Sequence, residues 1–183
     1  GTERFAYIPR GVEMSMLAGL ADPLYGTNTE TKAHRYFVDG PIVVSARSRT
    51  PNKNYLVGTL GRGGRGVYGL DVTNPAAFGA SSVLWDFTGS DVVPKNMGNV
   101  IAEPLISSLN SDEIAAVVAN GPNSESGTAS LFIINLSNGT VIREIDTGVA
   151  GANKENGLSA PRAVDVDAYG KVDYFFAGDL LGN

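Results

Sequence analysis

Short apolar runs, separated by glycine- and proline-rich polar stretches, recur along the chain and predict β-strands joined by turns. Three stretches open alike: Asp39-Gly40-Pro41-Ile42-Val43-Val44, Ala102-Glu103-Pro104-Leu105-Ile106-Ser107 and Ser159-Ala160-Pro161-Arg162-Ala163-Val164. Their prolines stand 63 and 57 residues apart, a near-constant period that marks a repeat architecture. Each opening leads to a second strand that runs toward glycine: Tyr55–Gly58, Ala115–Ala119 and Tyr174–Ala177. Third strands are expected at Val67–Val72 and Ser130–Asn135, and fourth strands at Val83–Phe87 and Thr140–Ile145. Asn138-Gly139 falls between the third and fourth strands of the second unit, a strong hairpin signal.

Four antiparallel strands per unit, repeated, predict an all-β fold of the β-propeller type. The continuous apolar second strands suit burial between neighbouring blades, and the alternating fourth strands suit an outer edge. The chain then divides into a blade end over 1–10, a linker over 11–35, a blade over 36–89, a blade over 100–147 and a partial blade over 157–183. Two full blades and parts of two more are fewer than the four to eight or so that close a propeller, so the chain reads as a segment of a larger one. Phe5 and Tyr7 alternate in a short strand expected within 1–9. Met14, Leu17 and Ala21 predict a short helix between Pro9 and Pro23, weakened by internal glycines, and 22–35 reads as a polar loop carrying the single histidine, His34.

Composition fits this picture. Apolar residues make up 43% and charged residues 18% of the 183 positions, with 23 glycines and 9 prolines, as in a turn-rich folded chain. A formal charge of −5 argues against a nucleic-acid-binding surface. The absence of cysteine excludes disulfides and thiolate metal sites. No apolar run approaches the ~18 residues of a membrane-spanning helix, so no transmembrane segment is expected in this chain.

The densest candidate chemistry is Asp165-Val166-Asp167-Ala168-Tyr169-Gly170-Lys171-Val172-Asp173. Acids stand at positions 1, 3 and 9 of this window and a glycine at position 6, where the chain must bend sharply. Carboxylates converging on one point repel unless a cation lies between them, and an all-oxygen donor set favours Ca²⁺. The spacing begins like an EF-hand loop but closes at position 9 instead of position 12. The alternative is a solvated, Asp-rich β-turn. Gly61-Arg62-Gly63-Gly64-Arg65-Gly66 has the glycines and guanidiniums of an anion cradle but lacks a P-loop's Lys-Ser/Thr, which favours a hairpin loop. A lone His34 supports no catalytic or metal-histidine cluster. Asp112-Glu113 reads as a solvated turn, Asp179 as a turn or inter-blade hydrogen-bonding residue, and Trp85 as packing.

Several stretches together resemble a known family: Tyr36–Pro41, Gly61–Pro75, Val83–Phe87, Asn156–Pro161 and Ala177–Asn183. Their order and content are similar to the C-terminal propeller of the PilY/PilC family of type IV pilus-associated proteins and adhesins of Gram-negative bacteria. The resemblance implies a modified propeller of about seven blades, similar to the quinoprotein dehydrogenase fold. It implies pilins or minor pilins and host or abiotic surfaces as partners, a place at the cell surface, outer membrane or pilus tip, and roles in pilus assembly and in opposing retraction. It also implies a calcium loop of Asp-x-Asp-x-Asn/Asp-x-x-x-Asp type, which maps onto Asp165, Asp167 and Asp173. Tyr169 departs from that pattern, leaving its backbone carbonyl, with that of Lys171, to complete the site and predicting weaker binding than the full pattern gives. Function by binding is expected, with no catalytic residues. The alternatives are a quinone-dependent dehydrogenase, since one fold hosts both classes, and a metal-free structural repeat.

Overall fold

The computed structural model describes residues 1–27, 32–153 and 155–183. Its strands form three antiparallel sheets, each a meander of consecutive hairpins. The first contains β1 (Ile42–Val44), β2 (Tyr55–Thr59), β3 (Val67–Asp71) and β4 (Val83–Asp86) in that order. The second contains β5 (Leu105–Ser108), β6 (Ile114–Ala119), β7 (Thr128–Asn135) and β8 (Val141–Ala150). The third is the pair β9 (Arg162–Val164) and β10 (Tyr174–Phe176). No helix among the described residues is long and apolar enough to cross a membrane.

The second sheet sits at the centre of the packing because β6 and β7 are apolar on both faces. Ala116 and Val118 of β6 and Phe132 and Ile134 of β7 pack with Val57, Val67, Trp85, Met97 and Val100, toward the first sheet. The intervening Val117, Ala119, Ala129 and Leu131 pack with Leu158, Leu105 and Phe175, toward the third. Period-2 alternation thus sends successive residues of the same strands into two different cores. β8, by contrast, is exposed along nearly its whole length.

Trp85 joins the first two sheets. It pairs across the ladder with Gly69, and a Cβ on Gly69 would lie 2.3 Å from its ring. Its Nε1–H donates to the Leu136 carbonyl at 3.0 Å. The Asn138-Gly139 turn closes against it: Gly139 has φ +76°, and a Cβ there would fall 2.5 Å from the Trp85 Cβ. Glycine alone satisfies both the left-handed backbone and the close approach.

Asparagines, two of them buried, fasten the sheets end to end. Asn120, fully buried, donates through Nδ2 to the Asn96 and Thr128 carbonyls and accepts through Oδ1 from the Ser130 and Leu158 amides. Asn99 donates to the Gly61 and Gly64 carbonyls at 2.7 and 2.9 Å. Asn156 donates to the Val149 carbonyl and to Asp179.

Two expectations are corrected. Residues 1–9 form no strand. They are held against the first sheet and its β3–β4 connection: Phe5 stacks on Phe78 at 3.9 Å, the Tyr7 hydroxyl donates to Asp86 at 2.5 Å, and the amide of the following Arg10 donates to the same carboxylate. Alternating aromatics signal an extended segment but carry no information about a ladder partner. Burial and the adjacent Asp86 carboxylate push the Tyr7 hydroxyl pKa well above its ordinary value. The expected helix shrinks to one turn, α1 (Met14–Leu17), followed by a 3₁₀ turn over Ala18–Ala21, and none of its residues is buried. Of the expected polar loop 22–35, residues 28–31 lie outside the described residues.

Candidate metal centre

The acidic loop joins β9 to β10. The ladder pairs Val164 with Tyr174, and continuing that register sets Asp165 across from Asp173 at the mouth of the hairpin. The Asp173 amide donates to the Val164 carbonyl at 2.9 Å, which fixes the mouth. Ala168 (φ +63°) and Gly170 (φ +83°) reverse the chain with left-handed backbone. For Ala168 that conformation is sterically uncommon; Gly170 stands where the sequence required a sharp bend.

Loop amides hold the carboxylates. Asp165 Oδ2 accepts from the Gly170 amide at 2.6 Å, Asp167 Oδ1 from the Tyr169 amide at 3.3 Å, and Asp173 Oδ2 from the Val166 amide at 2.8 Å. One carboxylate oxygen from each of Asp165, Asp167 and Asp173 lies within 4.8 Å of the other two. Each such pair of charges repels by about 1 kcal/mol in water and by more where solvent is withdrawn. Solvent is withdrawn from one of them: Asp165 Oδ1 is buried and has no hydrogen-bond partner. An orphaned anionic oxygen beside two further carboxylates, in an all-oxygen environment, fits a hard divalent cation.

The ammonium carried by the loop itself pairs elsewhere. Lys171 turns away to pair with Asp112 Oδ1 at 2.6 Å, in the turn between β5 and β6. The Tyr169 side chain is 83% exposed, so Tyr169 and Lys171 have only backbone carbonyls to offer a metal. The same β5–β6 turn grips the loop at two further points. The Val172 amide donates to the Ser108 carbonyl at 2.9 Å, and Asn110 Nδ2 reaches Asp173 Oδ1 at 3.5 Å. The acidic loop is therefore built against the second sheet, a contact between residues about sixty positions apart that sequence spacing could not reveal.

The other candidate groups have structural partners. Both ends of the Gly61–Gly66 loop adopt positive φ (Gly61 +57°, Gly66 +115°), and Asn99 occupies its inward carbonyls. Arg62 lies over the Tyr36 ring at 5.6 Å. His34 sits between Tyr25 and Tyr36, with ring centroids at 5.8 and 5.0 Å. Asp112 is an ion-pair partner as well as a turn residue, and Glu113 accepts from Asn135 and Ser111. Asp179 accepts from Asn156 and from the Leu181 and Asn183 amides; the Asn156 contact first, then Asn183, lowers its pKa to about 2. The sequence reading missed the asparagine fasteners. The available signal was positional: Asn99 and Asn156 each precede a marker proline by five residues.

Comparison with known proteins agrees with this geometry. Residues 2–183 match the family model described as the PilY1 beta-propeller domain. The chain is 39% identical over 192 residues to a type IV pilus biogenesis factor PilY1 homolog of Xylella fastidiosa, and 37% identical over 188 residues to the type IV pilus biogenesis factor PilY1 of Pseudomonas aeruginosa. Both alignments cover 100% of the chain but only 12% and 15% of those proteins. The crystal structure of the Pseudomonas aeruginosa PilY1 C-terminal domain superposes with a TM-score of 0.74 at 32% identity, over 100% of this chain and 34% of that one. The repeated four-stranded sheets and the match over nearly every residue lead to one assignment: the chain belongs to the PilY1 β-propeller family.

Proposed function

We propose that this chain is a calcium-binding segment of a propeller that works in type IV pilus biogenesis and surface attachment by binding, without bond chemistry. The observation that carries the calcium reading is the buried, unpartnered Asp165 Oδ1 beside Asp167 and Asp173. In this reading Asp165, Asp167 and Asp173 supply carboxylate oxygens, and Tyr169 and Lys171 supply backbone carbonyls. Bound Ca²⁺ supplies positive charge that offsets the carboxylate repulsion. The chain's own residues convert that into shape. Asp165 and Asp173 flank the hairpin mouth, and Val172, Lys171 and Asn110 tie the mouth to the β5–β6 turn. A loop that tightens on Ca²⁺ thereby stiffens the junction between the second sheet and the β9–β10 pair.

The remaining features of this reading rest on family membership. The four-stranded sheets are blades over 36–89 and 100–147, 1–10 ends a preceding blade, and 157–183 begins another in a ring of about seven, similar to quinoprotein dehydrogenases. Pilins or minor pilins and host or abiotic surfaces are the partners, at the outer membrane or pilus tip. The relatives' names as pilus biogenesis factors support binding over quinone-dependent oxidation.

The test is a thermal melt of the whole propeller with Ca²⁺ and with chelator. The wild type is expected to melt higher in Ca²⁺, and Asp165→Ala to shrink that difference. Equal melting of the wild type in both buffers would refute the reading.

A further inference from the structure

A second polar cluster lies between the first and second sheets, away from the acidic loop. Glu144 and Asp146 stand two residues apart on β8 and so project to one face, opposite Arg143 and Ile145. Register places Glu144 across from Phe132 and Asp146 across from Ser130, on the face that packs toward the first sheet. Asn96, from the β4–β5 connection, inserts its amide between the two carboxylates. Its Nδ2 contacts Glu144 Oε1 and reaches Asp146 Oδ2 at 3.3 Å.

This cluster contains two orphans. Asn96 is 7% exposed and Ser130 is 0% exposed, yet Asn96 Oδ1 and Ser130 Oγ have neither a hydrogen-bond partner nor solvent contact. Buried polar oxygens without partners are rare and costly. The carboxylates are open to solvent on their outer side, and among the described residues neither forms an ion pair with lysine or arginine. The position of Asn96 is fixed from behind: its carbonyl accepts from Asn120 Nδ2, and the preceding Lys95 carbonyl accepts from the Glu125 amide. Asp146 is likewise oriented, by the Gly148 amide at 2.9 Å.

We propose that Glu144, Asp146, Asn96 and Ser130 form a second cation site, selective for a hard divalent ion such as Ca²⁺. Two carboxylates, an amide carbonyl and a hydroxyl make an all-oxygen donor set with an open entry side. A half-turn of the Asn96 amide exchanges its nitrogen for its oxygen. Without an ion, Nδ2 faces the carboxylates; with one, Oδ1 turns to them and becomes a ligand. Ser130 is the only side chain of the four on β7, so the ion would cross-link β7, β8 and the β4–β5 connection. The site is independent of the Asp165 loop and stands or falls separately from it.

The test uses the whole propeller with the first loop silenced by Asp165→Ala. Equilibrium dialysis against ⁴⁵Ca²⁺ should show one bound ion fewer, or affinity weaker by about tenfold or more, when the near-isosteric Asp146→Asn is added. Unchanged stoichiometry and affinity would overturn the proposal. Because Asp146 is itself a member of the β7–β8 ladder, the unmutated protein is also crystallised and soaked in Tb³⁺. An anomalous peak between Glu144 and Asp146 with the Asn96 oxygen facing it supports the site. A water molecule or an unoccupied gap there overturns it.

Discussion

The second sheet and the β9–β10 pair use the same strand geometry for opposite ends. β6 and β7 are buried on both faces and take part in two cores. β9 and β10 are three residues each and are joined by the Asp165–Asp173 loop. The acid triad Asp165, Asp167 and Asp173 lies on this short pair. Apolar packing on both faces fixes β6 and β7. The loop on β9–β10 is shaped by three carboxylates and two left-handed residues, so a single charge placed there changes its free energy most. The two regions are joined at the β5–β6 turn, where the second sheet holds the acidic loop.

The sharpest way to break this contrast is truncation on each side. Phe132→Ala should destabilise the propeller by about 3–5 kcal/mol, because it empties a fully buried position between two sheets. Tyr169→Ala should cost less than about 1 kcal/mol, as expected for a loop side chain that is 83% exposed. Urea unfolding measures both, and equal losses would erase the distinction. Next in size is Asn120→Ala, which strands two buried carbonyls and two amides and should cost about 2–3 kcal/mol by the same assay.

Smaller effects sharpen the view of the loop. Tyr169→Asp restores an acidic side chain at position 5 and should tighten Ca²⁺ binding by about tenfold, or about 1.4 kcal/mol, in a calcium titration. Lys171→Met removes a largely exposed pair with Asp112 and should lower stability by under about 1 kcal/mol, a loss that shrinks in high salt. The mildest test is acid. Asp179 titrates at about 2 in the folded chain, below its ordinary 3.8, so its contribution is present above the ordinary value and lost as pH falls through about 2. Faster hydrogen exchange at the Leu181 and Asn183 amides over that window, with little change elsewhere, is the expected signature.

The sequence disclosed most where the physics is local. β6 and β7 were readable because Ile114–Ala119 and Thr128–Asn135 are near-continuous apolar runs. The acid triad was readable because its members stand within nine residues of one another and around one bend. Contacts between distant positions were not readable. Nothing in Lys171 points to Asp112, nor in Tyr7 to Asp86, until the sheets bring them together. The strand expected in 1–9 failed for the same reason: alternation predicts extension, while a ladder needs a partner. Asn120 was hidden at the end of an apolar second strand, where no local pattern announces its four hydrogen-bond partners.

The central claim is that the Asp165–Asp173 loop is shaped to hold a divalent ion. Isothermal calorimetry of the whole propeller, wild type against Asp165→Ala, addresses it most directly. The account predicts that the wild type binds one more Ca²⁺ than the variant, with heat evolved or absorbed at that added site. Superimposable isotherms for the two proteins would contradict it.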